Sequence, residues 1–174
     1  MATYRRPKGS YTRPTTDFFI DRCVIAGVWF TPALTFGGSI ELYNNAADGS
    51  NLHLYRLWTQ NDAAGGYYVT RQTGTQGGTA VQTFPVISSG AALPGIVNYA
   101  AIAGTAYPLH GPFVLSGYMA MDNEAGSQDT FGADGPLCIL VPGDSLRVIQ
   151  PFGSAIDQGT VAATFYWAAI RDTG

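Results

Sequence analysis

Residues 36–43 read Phe36-Gly37-Gly38-Ser39-Ile40-Glu41-Leu42-Tyr43. A polar stretch follows, Asn44-Asn45-Ala46-Ala47-Asp48-Gly49-Ser50, and then Asn51-Leu52-His53-Leu54-Tyr55-Arg56-Leu57-Trp58. The first run has a period of two. Phe36, Gly38, Ile40 and Leu42 share one face, and Gly37, Ser39, Glu41 and Tyr43 share the other, as in a half-buried strand. The middle stretch is a turn by composition, with Asp48-Gly49 supplying a positive-φ position. The third run returns as the partner strand. Its Leu52 and Leu54 alternate with His53, Tyr55 and Leu57, so both of its faces are expected to touch something.

Working outward, the same vocabulary recurs. Residues 18–30 are strand-like, with Gly27 at a bend or bulge. Residues 61–66 form a turn, 67–71 a short strand and 73–79 a Gly/Thr/Gln loop. Residues 81–87 form a strand whose Pro85 demands an edge or a bulge. Residues 88–108 are small and apolar, and the run 96–103 admits a short helix. Residues 112–121 make another strand, and 122–135 a polar, acidic loop. Residues 137–141 and 145–150 flank Pro142-Gly143-Asp144, where Pro142 and Gly143 suit positions i+1 and i+2 of a type II turn. Residues 161–171 are apolar on both faces, as in a strand lying between two layers. Eight to ten strands with closely spaced turn signals predict an all-β antiparallel sandwich or barrel. One domain is expected over 17–174. Residues 1–16, with Pro7, Gly9 and Pro14, are read as an extended arm without regular structure.

Composition supports that class. Charged residues make up 12% of the 174, about half the usual level, and aromatics 13%. From Gln72 to Met121 there is not one Asp, Glu, Lys or Arg in fifty residues. Gln, Thr, Ser, Gly and four prolines interrupt this stretch, so it is no membrane-spanning helix. It is expected to face other protein, and Leu93, Ile96, Val97, Tyr99 and Ile102 are the expected subunit-interface residues. The arm carries Arg5, Arg6, Lys8 and Arg13 with no acid, whereas the rest holds five arginines against twelve acids. Those four cations are the expected partner-binding residues, directed at an anionic surface. The excess of acids over cations elsewhere disfavours nucleic acid as a partner of the body.

Reactive constellations are missing. His53 and His110 lie in separate segments and predict packing or turn roles rather than metal ligation. Residues 122–129 carry oxygens at alternate positions but lack the glycine spacing and terminal Glu of a calcium loop. No serine sits in a nucleophile elbow, and no glycine pair has the lysine of a phosphate loop. Asp17 and Asp21 stand four apart in a β context, where their carboxylates need not converge. No catalytic residue, metal or cofactor is therefore expected, and the chain is read as a non-enzyme. Cys23 and Cys138 sit singly in apolar runs and are expected to be buried free thiols, in keeping with synthesis in a reducing cytoplasm. Exposed Tyr and Trp could stack on sugars or bases, but their strand periodicity points first to core or interface.

The run Leu137-Cys138-Ile139-Leu140-Val141-Pro142-Gly143-Asp144-Ser145-Leu146-Arg147-Val148, followed by Ala163-Thr164-Phe165-Tyr166-Trp167, resembles the ending of small virion structural proteins of tailed bacteriophages. The resemblance covers residues 110–171. It implies a jelly-roll-like capsid cement or decoration subunit, often a homotrimer, bound to the major capsid protein or other virion proteins. A tail, fibre or head–tail adaptor protein, with a carbohydrate-binding module as its sharper form, is the alternative. The family supplies no catalytic residues. Virion localisation after synthesis in the host cytoplasm is what it implies.

Overall fold

The computed structural model describes residues 4–6, 23–31, 36–61, 68–85, 94–103, 126–131, 135–150 and 160–172. They form twelve strands: β1 (Tyr4–Arg6), β2 (Cys23–Phe30), β3 (Phe36–Tyr43), β4 (Asn51–Asn61), β5 (Tyr68–Thr73), β6 (Thr79–Val81), β7 (Phe84–Pro85), β8 (Ile96–Ala103), β9 (Gly126–Phe131), β10 (Cys138–Leu140), β11 (Asp144–Gln150) and β12 (Val161–Asp172). Two sheets result. Sheet A runs β10-β4-β12-β2-β7, with β9 also on β4 and β1 also on β12. Sheet B runs β5-β11-β3-β8-β6.

The pairing explains the architecture. β2 lies antiparallel to β12, β3 to β11 and β4 to β10. The chain is thus one long antiparallel ribbon whose successive segments alternate between the sheets. Rolling that ribbon adds the contacts of β12 with β4 and β11 with β5. This is the all-β antiparallel sandwich, one of the two architectures expected from the strand pattern. The core between the sheets is filled by Ile40, Leu42, Leu52, Leu54, Leu57, Val97, Leu146, Val148, Phe165 and Trp167, all at 1% exposure or less.

Local chemistry fixes the bends. Asp48 Oδ1 accepts from the Ser50 amide at 3.0 Å, and Gly49 takes φ 78°. At the other predicted corner the Asp144 amide donates to Val141 O at 3.0 Å and Gly143 takes φ 90°, the geometry of a type II turn. That corner carries the chain from sheet A to sheet B. Buried Asn44 joins the two turns. Its Nδ2 donates to Ser50 O and Leu140 O, its Oδ1 accepts from the Ala46 amide, and its carbonyl accepts from the Gly143 amide. Gly95 (φ 110°) packs its bare Cα on the indole of Trp167, where a Cβ would lie 2.5 Å from Nε1. That Nε1 donates to Pro94 O at 2.9 Å.

Several expectations are corrected. Residues 96–103 are a strand, β8, because Val97 and Tyr99 pack between the sheets at the period of two, paired with Leu42 and Ile40. The polar loop at 122–135 contains β9, whose residues extend β4 across the sheet. The strand expected at 81–87 is two short pieces, β6 and β7, on the edges of opposite sheets, which places Pro85 on an edge strand. The arm is not wholly irregular: Tyr4–Arg6 run parallel to Ile170–Asp172 at the end of β12. Glu41 is not on a solvated face but is fully buried. Finally, β4 bulges. Arg56 pairs with Tyr166 but Leu54 with Trp167, so Tyr55 is the extra residue. The bulge moves Leu57 onto the face of Leu52 and Leu54, where alternation alone would not put it. Asn61, expected to open a turn, ends β4 instead; the rest of that turn, 62–66, the strand expected at 112–121, Asp17, Asp21 and His110 lie outside the described residues.

Candidate functional site

The bulge in β4 also shapes the outer side of sheet A. Beyond it, Leu57 and Thr59 face inward and are buried, so Arg56, Trp58 and Gln60 face out. On β12, Phe165 and Ala163 belong to the core, which leaves Ala162, Thr164 and Tyr166 outside. On β2 the outward residues are Ile25, Gly27 and Trp29, since Val24 and Ala26 are core and Val28 and Phe30 pack on it. The register aligns these nine positions in three rows. Trp29, Ala162 and Gln60 make the first, Gly27, Thr164 and Trp58 the second, and Ile25, Tyr166 and Arg56 the third.

Two aromatic side chains, Trp29 and Tyr166, therefore flank a row that holds Trp58 on β4 and no side chain on β2. Trp29 is 59% exposed, the most open large apolar residue described. Thr164 leans over the bare glycine, its Oγ1 2.5 Å from where a Cβ on Gly27 would stand. The Arg56 guanidinium lies 5.1 Å from the centre of the Tyr166 ring, a cation–π contact that holds both side chains along the face. Further along the sheet the same side closes: His53, Tyr55, Ala168 and Ile170 are all buried. The open patch is thus limited to the three rows.

The outer side of sheet B is built differently. Arg147, Glu41 and Asn98 stand side by side on β11, β3 and β8. Glu41 Oε2 accepts from Arg147 Nε at 3.1 Å and from the Gln76 amide at 2.9 Å, and Oε1 accepts from Asn98 Nδ2 at 3.1 Å and from the Thr75 hydroxyl. Arg147 also donates to Gln72 Oε1 and Gly74 O. Gln76 takes a hydrogen bond from Ser39 Oγ at 2.5 Å. The loop 74–78 is thereby fastened down over the sheet, and the carboxylate has no room for a ligand. A second ion pair, Arg71 with Asp144, holds β5 to the start of β11.

Near that pair sits Cys138, a free thiol. Burial pushes its pKa up to about 12, against a smaller downward pull from Arg71. Cys23 is on β2, separated from β10 by β12 and β4. Three strand spacings amount to roughly 14 Å, too far for a disulfide. Asp48, in its turn, is held below the usual carboxylate range by hydrogen bonds from Ser50. Among the described residues no cluster of His, Cys, Asp and Glu could hold a metal, and no helix is long and apolar enough to cross a membrane.

The residues singled out from the sequence are scattered. Arg5 and Arg6 lie in β1, paired with Arg171 and Asp172. Lys8, Arg13 and Leu93 lie outside the described residues. Val97 is fully buried in the chain's own core, because β8 is an inner strand of sheet B, and this corrects its placement on an outward surface. Tyr99 packs on that core with its ring 4.8 Å from Phe30, Ile96 is half-buried, and Ile102 pairs with Gly37. No family model, curated protein or solved structure matches the chain. Its sheets and their strand order establish an all-β two-sheet sandwich, and nothing narrower. Sequence reasoning missed the outer face of sheet A. The signal was there in Val28-Trp29-Phe30 and Phe165-Tyr166-Trp167, where alternation must turn the middle residue away from its neighbours.

Proposed function

We propose that this chain is a structural virion protein of a tailed bacteriophage, a capsid cement or decoration subunit that binds the coat-protein shell as a homotrimer. One observation carries this reading: the described sandwich spends four of its ionised groups on fastening itself. Glu41 with Arg147 fastens a loop, and Arg71 with Asp144 fastens a corner, while Trp29 is presented outward. That division suits a rigid part that works by docking. The resemblance of residues 110–171 to virion proteins supplies the setting. Arg5 and Arg6 sit on a strand beside the end of β12, which supports a fixed point from which the basic arm would reach an acidic coat surface.

A second reading is favoured by the open aromatic face of sheet A. It makes the chain a tail, fibre or adaptor protein with a carbohydrate-binding module. Quantitative peptide mass spectrometry of particles whose genome encodes the chain separates the two. Copy number on the scale of the coat protein is expected. A handful of copies per particle would favour the second reading, and absence from purified particles would overturn both.

A further inference from the structure

We propose that the depression over Gly27 and Thr164, walled by Trp29, Trp58 and Tyr166, binds one ring of a neutral saccharide. The site stands on its own residues, whether or not the chain is found in particles. The floor comes first. Gly27 has no side chain and Thr164 leans over it, its Oγ1 2.5 Å from where a Cβ would stand, so the middle of the outer face is low and carries a hydroxyl. Neighbouring strands are about 4.8 Å apart and alternate residues roughly 6.8 Å apart, so this low floor is about one sugar ring across. The walls come next. Trp58 is in the row of the floor, Trp29 one row to one side on β2, and Tyr166 one row to the other on β12. Aromatic faces so placed accept the C–H faces of a pyranose, while the hydroxyl below and the tyrosine phenol at the rim meet its polar edge.

Charge selects the class of ligand. β9 continues the row of the site with one acid, Asp129 beside Trp58, and the one cation on the face, Arg56, already lies over the Tyr166 ring. A nucleic acid strand needs a track of cations beside its stacked bases, and a lipid chain needs a floor without hydroxyls. An uncharged, polyhydroxylated ring matches what remains. The exposure of Trp29 fits as well, since an indole at 59% exposure contributes little to this chain's own core.

The test titrates the full chain with glucose, galactose, mannose, N-acetylglucosamine and their short oligomers, read by tryptophan fluorescence and by saturation transfer to the sugar protons. Saturable binding of at least one of them is expected. Trp29→Ala should weaken it at least about tenfold, in line with the loss of one stacking contact. Thr164→Val keeps the shape of the floor and removes its hydroxyl, and should weaken it several-fold. Thermal melts of both variants should match the parent, because neither side chain belongs to the core. No saturable response to any of these sugars overturns the proposal. So does a Trp29→Ala chain that binds as well as the parent. Binding confined to anionic polysaccharides and abolished by salt also overturns it, since recognition would then rest on charge.

Discussion

Replacing Glu41 by Ala would remove at once the acceptor shared by Arg147, Asn98, Thr75 and the Gln76 amide, beneath a loop that shields most of them from water. Glu41 is 0% exposed, and breaking a buried pair by removing one partner costs about 3–5 kcal/mol. Urea unfolding should show a loss of that size, with Glu41→Gln intermediate because it still accepts hydrogen bonds. Nothing in the sequence marks Glu41 as buried. A charged residue in an alternating strand reads as solvent-facing unless the loop that covers it, thirty residues on, is known to return. Cys138 makes the opposite case, since an apolar run does predict a thiol packed on the core, and Cys138 is half-buried there. A thiol pushed up to about 12 is some thousandfold poorer in thiolate at pH 8 than one at the ordinary 9.0. Its greater intrinsic nucleophilicity offsets part of that deficit, so a Cys23→Ala chain should react with an aromatic disulfide reagent roughly fiftyfold more slowly folded than in denaturant. The sign for stability follows. The folded state favours the neutral thiol, so its contribution is whole below pH 9.0 and fades as pH climbs toward about 12.

Among the elements, β8 carries the sharpest test. Val97 pairs with Leu42 on one side and Val81 on the other, with its side chain in the core. Val97→Asp should therefore destabilise the isolated chain by several kcal/mol, from the burial of an unpaired carboxylate. A thermal melt unchanged from the parent would show that β8 is not an inner strand. The elements legible in the sequence were those with a clean period of two or a strict turn: β3, the Asp48-Gly49 turn, the Pro142-Gly143 corner and β12. β8 was hidden because the positions alternating with Val97 and Tyr99 are Ile96, Asn98, Ala100 and Ile102, so no polar face stood out. β9, Gly-Ser-Gln-Asp-Thr-Phe, has almost no apolar content and is a strand only because β4 offers it an edge. The bulge at Tyr55 had no signal in composition, since it arises from fitting β4 against β12. Yet it turns Trp58 outward and so completes the aromatic face. One inserted residue thus decides whether that face has two rings or three.

At the scale of the whole molecule, the rolled ribbon places partners far apart in sequence beside one another: β2 meets β12 and β3 meets β11. Such topologies must close large loops before any pair is rewarded, which slows folding to the millisecond-to-second range even at ample stability. Stopped-flow refolding followed through Trp167, which reaches its buried site only when the two sheets meet, should show a main phase no faster than about a millisecond. A microsecond phase carrying the full amplitude would mean that the indole is buried by local structure alone. The same nesting has a mechanical side. β1 lies parallel to the final residues of β12, Tyr4 beside Ile170 and Arg6 beside Asp172. Tension applied to the chain before Tyr4 and after Asp172 would slide these two strands along each other rather than peel them apart. Their hydrogen bonds would share the load at once, and β12 would pass it to β2 and β4 on its flanks. The chain is therefore strapped against being pulled open by its ends.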